Sequence, residues 1–354
     1  MENNSLRRLF PTPRLLAMEG GGIEISDRRI KYLALAEGRF VLSWGEVKLP
    51  PGVVEQGDIK DEAALVQALE RVRQKAHFSL AHVSLPEQKG YLFELSLPRA
   101  ALEDLADAVA LALPGYVPLP PAEVVFDCET DSAGTEEENV AIAVTAFPEG
   151  LARSYAEALC RAGFLPLSME LEPQAAARAV IPRSGKGAQL LIDYSATKTM
   201  LAVCVRGSVR LAASFNGSQP LDDALRARGI SETELSAFKR DEGLGTADAE
   251  ARSLVSRHLN QLCEEVGRHV RFWNARSGAS REPVAAAWVS GGNANLRGLV
   301  EELSRTLGFP VQLADIWQNL PPRESLAVPP IEREESFRFA SSLGLAMRSR
   351  NSAL

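Results

Sequence analysis

Gly22-Ile23-Glu24-Ile25-Ser26-Asp27-Arg28-Arg29-Ile30-Lys31 runs into Tyr32-Leu33-Ala34-Leu35, and Leu190-Leu191-Ile192-Asp193-Tyr194-Ser195-Ala196-Thr197-Lys198-Thr199 runs into Met200-Leu201-Ala202-Val203. Each stretch reads as a strand ending in an acid, a short polar turn and a second strand. A third stretch, Ala286-Ala287-Trp288-Val289-Ser290-Gly291-Gly292-Asn293, is a strand broken by paired glycines. In this order the three predict two related lobes facing a nucleotide cleft. The matched acid, turn and following strand point to a duplicated α/β unit.

Outward from these stretches, the pattern predicts a meander of strands at 22–26, 30–36 and 39–48, with a second at 189–193, 199–206 and 208–215. The block 51–138 reads as a small α/β insertion. It holds a helix over 61–76 capped by Asp61, strands at 81–85 and 91–97, a helix over 98–113 and a strand at 124–129. An acidic loop follows, and the main sheet is expected to resume at 140–146. In the second half, helices are expected at 220–228, 231–241 and 247–275. The last carries one apolar stripe, Leu254, Val255, Leu259, Leu262, Val266, Val270 and Trp273, which reads as core packing. A strand at 284–289, a helix over 294–307, a strand at 309–313, a Pro-rich loop at 321–330 and a final helix over 337–347 close the chain.

A chain of 354 residues suggests about two domains. The formal charge of −7, with both signs mixed throughout, argues against nucleic acid as a partner. Cys128, Cys160, Cys204 and Cys263 form no CxxC pair, and His77, His82, His258 and His269 lack zinc-ligand spacing. No apolar run reaches the roughly 18 residues of a membrane span. Residues 1–15 have no apolar signal-peptide core and read as a disordered leader, so the chain is expected to be intracellular.

Phosphates call for backbone N–H donors in tight turns, small polar side chains and a carboxylate for hydrated Mg²⁺. The second hairpin fits: Asp193 ends the strand, and Ser195, Ala196, Thr197, Lys198 and Thr199 form the turn. The first fits less well, because Asp27, Arg28 and Arg29 are bulky where Gly and Ser leave room. Gly291 and Gly292 would admit a base or ribose.

Together these segments resemble the PilM/FtsA family of actin-like proteins. Residues 22–31 are similar to its first phosphate motif, 191–199 to its second and 289–299 to its adenosine motif. Val54-Glu-Gln-Gly-Asp-Ile-Lys60, Ala162-Gly-Phe-Leu-Pro166 and Phe339-Ala-Ser-Ser-Leu-Gly-Leu-Ala-Met-Arg348 extend the resemblance over about 18–348. It implies an α/β, actin-like (ribonuclease H-like, duplicated) two-lobed fold with a 1C-type subdomain. Residues 16–50 and 139–186 would form the first lobe (1A), with 331–350 packing back on it. Residues 51–138 would be the 1C-like insertion, 187–216 and 276–330 the second lobe (2A), and 217–275 its helical 2B insertion.

The implied ATP contacts are Ser26, Asp27 and Lys31 from the first motif, Asp193, Ser195, Ala196, Thr197 and Lys198 from the second, Lys239, and Gly291, Gly292 and Asn293. Glu24 and Asp193 would carry Mg²⁺ through water. Glu172, with Glu170 as its rival, and Asp193 are the candidates for catalysis. Departures from the family pattern argue against hydrolysis: Glu24-Ile-Ser26 and Asp193-Tyr-Ser195 stand for Asp-Ile-Gly, Asn216-Gly217 for Gly-Gly, and Ser236 for a Glu three residues before Lys239. The resemblance implies a cytoplasmic scaffold of type IV pilus or related secretion-system assembly. Such a scaffold binds the N-terminal cytoplasmic peptide of a PilN-like inner-membrane protein between 1A and 1C, and meets the membrane only through that partner. Pilus motor ATPases and further copies of the chain are its other implied partners. The alternatives are an active ATPase or sugar kinase of the same superfamily, or an FtsA-like filament former.

Overall fold

The computed structural model describes residues 20–36, 40–130, 139–275, 282–320 and 330–348. The expected leader at 1–15, the turn at 37–38, the acidic loop at 131–138 and residues 321–329 of the Pro-rich loop lie outside the described residues.

In the first lobe, β1 (Gly21–Ile25), β2 (Arg29–Ala36) and β3 (Phe40–Lys48) form an antiparallel meander. A small hairpin, β4 (Val54–Glu55) and β5 (Asp58–Ile59), leads into α1 (Glu62–Ala76). Asp61 begins α1 by accepting the Ala64 N–H at 2.9 Å, an N-cap of the usual kind. The chain then returns as β6 (Leu80–Leu85), parallel to β1. After the insertion come α3 (Glu149–Arg161), β10 (Leu165–Leu171), parallel to β6, and α4 (Glu172–Val180). The sheet order is β10-β6-β1-β2-β3.

The second lobe repeats this plan. Strands β11 (Ala188–Tyr194), β12 (Lys198–Val205) and β13 (Ser208–Asn216) form the meander, and β14 (Val284–Ser290) and β15 (Val311–Leu313) add in parallel, giving β13-β12-β11-β14-β15. In each lobe the first strand lies centrally, antiparallel to the second and parallel to the fourth. The duplication is therefore visible in strand pairing as well as in the hairpins. Between β13 and β14 lie α5 (Gln219–Ala227), α6 (Glu232–Ala237) and the long α7 (Ala249–Ala275). Of the expected stripe on α7, Leu254 is half-buried and the other six residues are buried. Helix α8 (Leu299–Leu307) precedes β15.

The insertion differs from its expected bounds. The block 51–138 is not one unit, because α1 packs on β2 and β3, and β6 is a central strand of the first sheet. Nor does 139–148 resume the main sheet. Strand β9 (Asn139–Pro148) pairs instead with β7 (Tyr91–Pro98) and β8 (Val124–Thr130) in a separate three-stranded sheet. Both segments carry apolar residues at strand spacing, and that spacing does not name a partner strand. The expected helix over 98–113 is shorter: Asp104 leaves helical geometry, and α2 spans Leu105–Ala112. Val109 of α2 packs on Leu95, Ile142 and Val144. The inserted sheet also leans on the second lobe, where Arg210 of β13 faces Glu94 of β7 at 3.6 Å and the Ser208 hydroxyl donates to Glu129 at 2.9 Å.

The last described residues form α9 (Arg333–Ser336), a 3₁₀ turn at 337–339, and α10 (Ala340–Ala346). Helix α10 is wedged between β1 and α4. A side chain at Gly22 would meet the Ser342 carbonyl at 2.0 Å, and one at Gly344 the Ala175 carbonyl at 1.7 Å. Around the wedge, Arg178 binds Glu170 through two 2.6 Å bonds and donates to the Gly344 carbonyl at 2.9 Å, while Arg348 reaches Glu170 at 2.6 Å. The larger core runs without a break from Leu191 and Leu201 of the second lobe through Ala176 and Leu343 to Leu33 and Leu35 of the first. Backbone cannot yield to a new methyl group as a side chain can. Gly344→Ala is therefore expected to lower stability by about 1–3 kcal/mol or more, read as a lower urea midpoint at unchanged slope.

Candidate functional site between the lobes

The turns of both acid-tipped hairpins, the start of α4 and the turn after β14 converge on one cleft. Glu24 and Lys31 are directly opposed on β1 and β2, and the Lys31 ammonium donates to the Glu24 carboxylate at 2.7 Å. Glu24 is buried. On the second lobe, the two oxygens of Asp193 accept from Ser195 at 2.9 Å and from Ser290 at 3.2 Å. Ser290 is its cross-strand partner on β14. Glu172, the first residue of α4, binds Lys198, the first residue of β12.

Burial raises the Glu24 carboxyl from 4.5 to about 7; Lys31 opposes the rise, and Glu172 and Asp193 add to it. Asp193 is raised by the same loss of water, with Lys31 opposing. Burial works against the Lys31 ammonium too, but Glu24 and Asp193 outweigh it, so its pKa is raised. Lys198 is likewise raised against its burial by Glu172.

A second polar cluster lies where β14 turns. Gly291 has φ +95° and sits so close to Asp193 and Tyr194 that a side chain would meet the Tyr194 carbonyl at 2.5 Å. This turn lets the Asn293 N–H donate to the Tyr194 carbonyl at 3.0 Å. The Asn293 side chain accepts from Lys239 at 2.8 Å and donates to Ser218 at 2.8 Å. Lys239, buried on the π-helical turn at 238–242, pairs with buried Asp222 at 2.6 Å, and burial lowers its pKa.

The residues read from the sequence thus divide. Glu24, Lys31, Glu172, Asp193 and Lys198 come together in one charge cluster, and Lys239 and Asn293 in the other. Gly292 faces open space. Ser26 donates to the Arg29 carbonyl at 2.9 Å, and Asp27 accepts from the N–H groups of Gln56 and Gly57 at 3.0 and 3.2 Å, so both serve the local turns. The Ala196 and Thr197 carbonyls accept from the N–H groups of Gln219 and Gly217, which fastens the second hairpin to the start of α5. Glu170 lies away from the cluster, bound to Arg178 and Arg348. The sequence reading missed Asp222 and Ser218. A buried lysine demands a counter-charge, and Asp222 supplies the carboxylate that Ser236 cannot.

A cavity of about 350 Å³ lies between the hairpin tips, lined in part by Ser26, Asp27, Glu172, Thr197, Lys198 and Asn216. Mg²⁺ does not fit the acids as they stand. Glu24 is engaged by Lys31, Asp193 by two hydroxyls, and among the described residues no three His, Cys, Asp or Glu gather as metal ligands.

The family model for type IV pilus assembly protein PilM matches residues 22–350. No curated protein matches the chain. Among solved structures, a PilM-PilN type IV pilus biogenesis complex is similar at 24% identity, with 94% of this chain and 99% of that chain covered and a TM-score of 0.76. The ethanolamine utilization protein EutJ from Carboxydothermus hydrogenoformans is similar at 17% identity, over 93% and 89% of the two chains, with a TM-score of 0.55. MreB 5 of Spiroplasma citri bound to AMPPNP is similar at 12% identity, over 94% and 97%, with a TM-score of 0.52. These neighbours establish the actin-like fold.

Two outcomes follow from the charges. The folded chain holds a proton on Glu24 that the unfolded chain releases, so this contribution is fully present below pH 4.5 and is lost as pH rises through about 7. Urea unfolding at pH 5 and pH 8 should show the wild type losing on the order of 2–3 kcal/mol relative to Glu24→Gln. Lys239→Met leaves Asp222 buried without its cation and should cost about 3–5 kcal/mol. Adding Asp222→Leu should recover most of that loss in a double-mutant cycle.

Proposed function

Because the chain belongs to the type IV pilus assembly protein PilM family, we propose that it is a cytoplasmic actin-like scaffold that holds the N-terminal cytoplasmic peptide of a PilN-like inner-membrane protein. The similar fold seen in a PilM-PilN complex supports this partner. No helix among the described residues is long and apolar enough to cross a membrane, so in this reading the partner supplies the link to the bilayer.

The observation that carries the reading is the groove where the inserted sheet meets the first lobe. It has a volume of about 480 Å³ and is lined by Leu119, Ala122, Pro148 and Leu151, with Glu123, Glu149 and Arg153 at its polar edge. Val125 lies beside it on β8, 42% exposed, opposite Phe147 of β9. An apolar floor with a charged rim suits an extended peptide that anchors by a few side chains. Groove and cleft lie at different places on the first lobe, so partner binding does not require chemistry in the cleft.

Ala122 is exposed, so Ala122→Trp fills the groove without touching the core. A labelled peptide of the partner's cytoplasmic tail should bind the wild type and lose at least about tenfold in affinity to this variant, the effect of losing one anchoring contact. Deleting the tail from the full-length partner should abolish co-purification. Retained co-purification without the tail would remove this reading.

A further inference from the structure

We infer that the two lobes are bolted together by the chain's own side chains at the places where an actin-like cleft would hold a magnesium nucleotide. The inference stands whether or not the groove binds the proposed partner.

The phosphate end of the cleft carries five partly or fully buried charges. The first lobe and α4 give Glu24, Lys31 and Glu172; the second lobe gives Asp193 and Lys198. Two ammonium groups thus face three carboxylates. Lys31 occupies the Glu24 carboxylate from within its own hairpin, as a bound cation would from outside. Lys198 reaches from β12 to Glu172 at the start of α4, where the chain leaves the first sheet, and so ties the second hairpin to the first lobe. At the mouth Arg28 donates to Gln219 at 3.3 Å, one residue from each lobe. A triphosphate drawn to Lys198 would take the counter-charge from Glu172 and stand beside it as a second anion. A divalent cation would have to expel Lys31.

The nucleoside end is also occupied by protein. Asn293 follows the paired glycines that would admit a base, and both atoms of its side-chain amide are spent on Lys239 and Ser218. Asp222 holds the Lys239 ammonium from the other side. Asn293, Lys239, Ser218 and Asp222, which could otherwise face a ribose or base here, are thus engaged with one another.

The test uses the intact chain. With millimolar Mg-ATP, the melting temperature should move by less than about 1 °C, whereas a ligand at a hundred times its Kd would raise it by several degrees. Lys198→Ser should speed amide hydrogen exchange in the hairpins at 24–31 and 193–199 by about tenfold. The reversed pair Glu172→Lys with Lys198→Glu should restore slow exchange. A rise of several degrees with Mg-ATP would overturn the inference. So would wild-type exchange in Lys198→Ser, or fast exchange in the reversed pair. If Lys198→Ser does not fold, the reversed pair and the Mg-ATP melt still decide.

Discussion

Two absent side chains, at Gly22 and Gly344, let α10 lie directly on β1 and on α4. The Ser342 and Ala175 carbonyls approach so closely that a methyl group at either glycine would overlap backbone. The rest of the structure depends on this wedge. It covers one face of β1, the strand at the centre of the first sheet. It sets α4, whose first residue supplies a charge to the cleft. Just before it, the Phe337 carbonyl accepts the Gly291 N–H and so steadies the turn after β14. The segment at 333–348 thus contacts both lobes.

Electrostatics in the cleft follows from that geometry. Once β1, β11 and α4 are fixed, Glu24, Asp193 and Glu172 are brought near one another with little water; burial raises the carboxyls of Glu24 and Asp193, and the Glu172 charge adds to both. Lys31 and Lys198 answer this within the protein. The same logic governs Lys239, whose burial is tolerable only because Asp222 lies beside it. A buried pair of this kind adds little net stability over apolar packing, but its loss on one side is costly.

The inserted sheet extends this architecture sideways. It rises from the first lobe between β6 and α3 yet touches β13 of the second through Arg210–Glu94 and Ser208–Glu129. It therefore braces the lobes along a different line from the wedge, and its seam with α3 forms the groove proposed for the partner. The groove and the cleft share a scaffold but no lining residues.

Much of the fold was legible in residues 22–35, 190–203 and 286–293, because strand periodicity, acid tips and glycine pairs are local properties. Asp61 as a cap and the stripe on α7 were legible for the same reason. The sequence by itself determined the duplicated lobes, the two hairpins that meet at the cleft and the altered turns that argue against hydrolysis. It did not decide where β6 and β9 would pair, since an apolar strand fits either sheet until a register is chosen. Nor did it decide what the charged residues would do. Asp27 turned to backbone N–H groups, Lys31 and Lys198 to carboxylates, and Asp222 to a lysine 17 positions away in the chain. Those partnerships depend on distances set by packing, and only the tertiary structure brings such groups within hydrogen-bonding reach.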